Sequence, residues 1–186
     1  MITIDHKTYT DKEIEQVFRL AQELLKVNEE QNAKLIAFDA YGTLFDVYSM
    51  AQLAEEIFPG QGQALVLMWR DRQIEYTRLV TMSDPNPSGS KYYLSFWELT
   101  IRSLHYVCKR MDLELSRANE QRLMDQYAKL TSFEDSLRVL KTMKEKNIAT
   151  AILSNGSKDM LATVVESNGL KPYLRSEEHT SELQSR

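Results

Sequence analysis

The chain has one cysteine, no apolar run of membrane-spanning length, and no segment in which lysine and arginine concentrate. Each scarcity removes a class of function. A lone Cys108 cannot close an intrachain disulfide, and its place beside Leu104 and Val107 in a helical pattern reads as a buried thiol rather than a nucleophile. A spanning helix needs about 20 consecutive apolar residues, and Met1 to Lys12 carries charge of both signs, unlike a secretory signal. The chain therefore reads as cytoplasmic, with no membrane partner. Phosphate binding demands a concentrated basic face, so a formal net charge of -4 with scattered cations excludes nucleic acid as a partner. What remains, with 42% hydrophobic residues over 186 positions, is an ordinary globular composition of one domain or two small ones.

Two short apolar runs share a grammar. Lys34-Leu-Ile-Ala-Phe-Asp39 ends at a carboxylate and is followed by Gly42, while Ile148-Ala-Thr-Ala-Ile-Leu153 is followed by Ser154-Asn155-Gly156-Ser157. Both read as buried strands that deliver polar residues to their carboxyl ends, where open parallel α/β sheets bind ligands. Helices are expected over residues 136–146 and 158–168, with Ser157 as N-cap and Gly169 as the stop of the second. Between Val47 and Leu130 the pattern is wholly helical, over residues 49–58, 64–79, 91–111 and 117–130, broken by Pro59-Gly60-Gln-Gly62 and by Ser83 to Ser90. The expected architecture is α/β: a Rossmann-like parallel-sheet core, incomplete here, formed by residues 33–46 and 132–174, with an inserted α-helical cap over 47–131. Residues 1–32 read as an N-terminal helical extension, because Thr10 and Glu13 make a capping box before an amphipathic stretch that runs to about Asn28.

Asp39-Ala-Tyr41-Gly42-Thr43 carries the strongest chemical signal, since a carboxylate at the end of a buried strand is costly and well aimed. Taken alone it is ambiguous: Asp39 serves equally well as a nucleophile or as a cap for the following turn with Thr43.

Three segments in order resolve that ambiguity. Phe38-Asp-Ala-Tyr-Gly-Thr-Leu-Phe-Asp-Val47, Trp69-Arg-Asp-Arg-Gln-Ile-Glu-Tyr76 and Ala151-Ile-Leu-Ser-Asn-Gly-Ser157 resemble successive motifs of the L-2-haloacid dehalogenases, within the haloacid dehalogenase-like superfamily. The resemblance spans about residues 33 to 174. It implies that Asp39 attacks C2 of a small L-2-haloalkanoic acid with inversion. Water then attacks the Asp39 carboxyl carbon of the resulting ester and releases the D-2-hydroxy acid. It further implies that Thr43 orients the nucleophile, Arg70 and Asn155 receive the halide, and Ser154 binds the substrate carboxylate with main-chain N–H groups after Asp39. Phe96 and Tyr41 would line the pocket. An SN2 displacement of this kind calls for a desolvated carboxylate and for donors waiting at the leaving group.

The superfamily's phosphatases place a second aspartate where this chain has Tyr41. A phenol of ordinary pKa about 10 is a poor substitute for a carboxylate acid/base near neutrality, so carbon-halogen chemistry is favoured and no metal or other cofactor is called for. Relatives of this kind also form homodimers through the cap, so a homodimer is an expectation for a full-length parent.

Arg175 to Arg186 is polar, lacks periodicity, and back-translates into a sequencing-library adapter; it is expected to be an artefactual or disordered tail. The resemblance puts a lysine and an acidic loop beyond Leu174, and neither is present. The 186 residues as written are therefore expected to be inactive and poorly soluble, with an unpaired sheet edge. Two other readings stand beside the dehalogenase: a superfamily phosphatase, and a non-catalytic remnant that binds a partner chain.

Overall fold

The structure, a computed structural model, describes residues 2–4, 7–9, 35–83 and 92–174. The chain divides into two compact units, Met1–Ile36 and Ala37–Arg186. In the first, β1 (Ile2–Ile4) pairs antiparallel with β2 (Lys7–Tyr9), in the register Ile2 to Tyr9, Thr3 to Thr8 and Ile4 to Lys7. This hairpin was not anticipated and precedes the helix expected within the 1–32 extension. Its signal was present in the sequence, as two runs rich in Ile, Thr and Tyr separated by two residues. The helix expected over residues 10–28 lies outside the described residues, as does the Arg175–Arg186 segment.

Strands β3 (Leu35–Phe38) and β4 (Ala149–Ile152) form a two-stranded parallel sheet, and the N–H of Leu153 donates to the Phe38 carbonyl at 2.8 Å. The expected burial of these strands is only half realised. Residues of β3 alternate between exposed and half-buried, and Leu35 is 47% exposed; β4 buries Thr150 and Ile152 on one face. Each strand has one neighbour among the described residues.

After β3 the chain makes a tight turn in which the Ala40 carbonyl accepts from the N–H groups of Thr43, Leu44 and Phe45 at 2.9–3.3 Å. A one-turn 3-10 helix (Val47–Met50) follows, then α1 (Ala51–Ile57), α2 (Gly62–Met82), α3 (Phe96–Arg110) and α4 (Arg117–Tyr127). The two ends of this helical stretch are tied together. Asp46 N–H donates to the Thr131 carbonyl at 2.8 Å, and Phe133 N–H to the Leu44 carbonyl at 3.0 Å. Helix α5 (Glu134–Glu145), β4, α6 (Lys158–Ser167) and a short 3-10 turn (Lys171–Tyr173) complete the order.

Helix starts follow their caps. Helix α3 begins at Phe96 rather than Lys91 because Ser95 and Glu98 form a reciprocal capping box, and Ser157 caps α6 as expected. Three helices end alike: Leu113, Ile148 and Leu170 each return an N–H to a carbonyl five residues earlier at 2.9–3.0 Å. The residues that turn the chain there are Asp112, Asn147 and Gly169, all in the left-handed region. Only the glycine was anticipated; short polar side chains tolerate that conformation too.

A continuous core runs from Ala40, Tyr41, Leu44 and Phe45 of the turn into the inner faces of α2, α3, α4, α5 and α6. It includes Cys108, whose thiol is pushed up to about 11 by burial. No helix among the described residues is long and apolar enough to cross a membrane.

Candidate active site

The turn after β3, helix α2, the start of α3 and the turn after β4 converge on a cavity of about 170 Å³. Drug-sized ligands occupy sites of roughly 300–1,000 Å³, so this space suits a molecule of a few heavy atoms. Asp39, Tyr41, Arg70, Phe96, Ser154 and Asn155 line it. Six of the seven residues singled out by sequence thus meet at one place, although they come from four segments spread between Asp39 and Asn155.

Thr43 is the exception. It is exposed, it does not line the cavity, and its N–H is spent on Ala40. The same turn geometry bears on Asp39: the Ala40 carbonyl closes the turn, so the Asp39 side chain is not needed as its cap. Asp39 is also exposed rather than buried, contrary to the expectation of a desolvated carboxylate.

Arg70 reaches out of α2 to the turn. One guanidinium nitrogen donates to the Tyr41 carbonyl at 2.7 Å, the other to Gln73 Oε1 at 2.8 Å. Gly42 makes this possible twice over. It turns the chain at φ 98°, which L side chains rarely adopt, and a Cβ there would stand 3.4 Å from the arginine nitrogen. The half-buried Arg70 is thereby fixed against the turn after β3, has Tyr127 as a further hydrogen-bond partner, and lines the cavity.

Tyr41 is buried between Phe96 and Tyr127, at ring-centroid distances of 5.1 and 5.8 Å. Its edge lies against Gly156, where an added Cβ would fall 2.8 Å from the ring. Burial holds the Tyr41 hydroxyl well above its ordinary range, and the neighbouring Tyr127 and Asp39 act in the same direction. Burial likewise pushes Tyr127 up to about 12. The sign of the pH dependence follows. Unfolded phenols release their protons near pH 10, whereas the folded chain retains both beyond that point. Stability is therefore fully present below pH 10 and declines as pH rises from about 10 through 12. Alkaline titration of phenolate absorbance, followed alongside circular dichroism, is expected to show two tyrosines ionising only as the helices melt. Complete ionisation with the helical signal intact would contradict the burial.

Sequence reading missed three cavity residues, Ile74, Thr77 and Arg78. The signal was the helical period: Ile74 and Arg78 follow Arg70 by four and eight positions and so share its face of α2. Arg78 is exposed and adds a second positive charge to the cavity lining. The cavity's cations are both arginines. No group of three or more His, Cys, Asp or Glu side chains suited to a metal ion occurs among the described residues.

Comparison with known proteins places this arrangement. A family model described as haloacid dehalogenase-like hydrolase matches residues 33–185, running past Leu174 into the segment that reads as foreign. The (S)-2-haloacid dehalogenase of Pseudomonas sp. (strain YL) is 36% identical over 138 residues, covering 74% of this chain and 56% of that protein. Among solved structures, the L-2-haloacid dehalogenase RSc1362 superposes with a TM-score of 0.71 at 44% identity, over 76% of this chain and 61% of that one. The Xanthobacter autotrophicus L-2-haloacid dehalogenase with chloropropionic acid covalently bound gives 0.66 at 33%, over 76% and 54%. The chain spans just over half the length of the curated relatives it matches. With a family model covering most of its residues and a shared fold, this chain belongs to the haloacid dehalogenase-like hydrolases.

Proposed function

We propose that the chain carries the nucleophile half of an L-2-haloacid dehalogenase. Asp39 displaces halide from C2 of a small L-2-haloalkanoic acid, and water then cleaves the ester at the Asp39 carboxyl carbon. The observation that carries this reading is the convergence of Asp39, Arg70, Ser154 and Asn155 on one small cavity. Each has a task there. The Asp39 carboxylate supplies the attacking oxygen. Arg70 and Asn155 offer N–H donors to the departing halide, where negative charge accumulates in the transition state. Ser154, with the main-chain N–H groups of Ala40 and Tyr41, holds the substrate carboxylate. Thr43, outside the cavity, is left with an orienting role at most through the turn. The similarity to a structure with chloropropionic acid covalently bound supports the same substrate class.

Tyr41 separates this from a phosphatase reading. A buried phenol held above its usual range gives up its proton even less readily than a free one. It cannot supply the acid/base function of a second aspartate. The test is direct: the 186-residue chain, and the product of the complete reading frame that encodes it, are assayed with 2-chloropropionate and with p-nitrophenyl phosphate plus magnesium. The account expects consumption of the L-enantiomer and chloride release by the complete product, and no phosphate release. Phosphate release without chloride would replace it with the phosphatase. Sequencing the source DNA across Leu174 and Arg175 identifies the frame to express. If Arg186 is followed by a genuine stop codon and neither chain releases chloride, a non-catalytic role becomes the leading reading.

A further inference from the structure

Against Arg70, and not among the residues lining the cavity, sits a polar side chain that is almost wholly enclosed: Gln73 is 1% exposed. Burying an amide costs free energy unless its donors and acceptor are all used. Here they are. Gln73 Oε1 accepts from the Arg70 guanidinium at 2.8 Å, and Nε2 donates to Thr100 Oγ1 at 2.5 Å and to the Tyr127 hydroxyl at 2.9 Å. The orientation of the amide is dictated by its neighbours. A guanidinium can only donate, so the atom facing Arg70 must be the oxygen. Thr100 spends its own hydroxyl proton on the Phe96 carbonyl at 2.7 Å, so it must accept, and the atom facing it must be the nitrogen.

The amide thus locks α2, α3 and α4 together at one point and presents a single acceptor to Arg70. The other end of the guanidinium is held by the Tyr41 carbonyl at 2.7 Å. With both ends tethered, the guanidinium cannot rotate, and its remaining N–H groups keep one direction. We propose that Gln73 is a positioning residue for the leaving group: it sets the Arg70 fork so that its free donors face the departing halide. This rests on the dehalogenase reading for its chemistry, though not for its geometry. Donors fixed before the reaction stabilise developing charge without reorganisation, which is where such groups are most effective.

A scaffolding role would slow every substrate alike, whereas a role through Arg70 depends on the leaving group. Chloride depends most on waiting donors and iodide least. In the complete gene product, Gln73→Met is expected to lower kcat for 2-chloropropionate by about tenfold or more and for 2-iodopropionate by no more than about threefold. Tyr127→Phe, which removes a hydrogen-bond partner shared by Gln73 and Arg70 while keeping both side chains, is expected to show the same ordering with smaller losses. It keeps the question answerable if Gln73→Met folds poorly.

A second readout needs no turnover. Bromide affinity, measured by calorimetric titration or bromide NMR line width, is compared for wild type, Gln73→Met, Arg70→Met and the double variant. If Gln73 acts through Arg70, the double variant binds no more weakly than Arg70→Met alone. Additive losses, or equal kcat losses for 2-chloropropionate and 2-iodopropionate, overturn the proposal. A wild type that releases no halide from any 2-haloacid overturns the dehalogenase reading instead, while the bromide cycle still decides the placement of Gln73.

Discussion

Asp39→Asn is expected to abolish halide release, lowering kcat by about 10,000-fold or more, while leaving the melting temperature nearly unchanged. The amide matches the carboxylate in shape and caps turns equally well, but it lacks the charge needed to attack C2. The two readings of Asp39 that the sequence leaves open therefore separate cleanly. The turn is closed by the Ala40 carbonyl and Asp39 lines the cavity, which supports the proposed nucleophile role. Steady halide release by Asp39→Asn at more than a tenth of the wild-type rate would remove Asp39 from the chemistry.

The largest expected effect on stability lies away from the site. A Cβ at Gly62 would fall 2.2 Å from the Glu55 backbone nitrogen and 2.4 Å from its Cα, so α1 and α2 cross with no room for a methyl group. The obstacle is main chain, which cannot rotate aside. The same crossing is secured by the Glu55 carboxylate, which accepts the N–H of Gly62 at 2.8 Å and that of Gly60. Gly62→Ala is expected to cost about 3 kcal/mol, at the upper end for overpacking, and to lower the melting temperature by roughly 6–12 °C for a chain of this size. Gly60→Ala provides the contrast. Its backbone is left-handed at φ 76° but nothing lies within 4 Å of the added Cβ, so the cost is about 1 kcal/mol of backbone strain. Thermal denaturation of the two variants should rank Gly62→Ala as the more damaging; the reverse order would mean that α1 and α2 are not crossed this closely.

These two glycines show where the sequence could and could not be read. Pro59-Gly60-Gln-Gly62 is legible as a break between helices, since both residues oppose helix continuation. That Gly62 instead opens α2 and serves as a contact surface depends on a neighbour contributed by another helix. The same holds inside the site. Asp39, Arg70, Ser154 and Asn155 were found because each sits in a recognisable local motif, and Tyr41 because it replaces an expected carboxylate. Gln73 belongs to one of those motifs too, yet on a helix with polar residues on most sides a glutamine looks solvated. Its burial is created by Thr100 and Tyr127, which lie 27 and 54 positions away.

The strands were legible but their burial was not: the composition of Lys34 to Asp39 suits a strand with two covered faces, whereas β3 alternates between exposed and half-buried residues. Local pattern states what environment a segment requires; the environment itself comes from the rest of the fold. Helix ends were more legible, because Ser95, Ser116 and Ser157 cap through their own side chains within three residues.

The central claim is that Asp39 forms and then loses an ester, and isotope transfer tests it most directly. The complete gene product, in molar excess over 2-chloropropionate, is allowed one turnover in water enriched in oxygen-18, and the peptide containing Asp39 is weighed. Attack by water on the carboxyl carbon predicts heavy oxygen in the Asp39 carboxylate and ordinary oxygen in the 2-hydroxy acid. Heavy oxygen in the product with an unlabelled Asp39 would mean that water displaces the halide directly, and the nucleophile assigned here would be wrong.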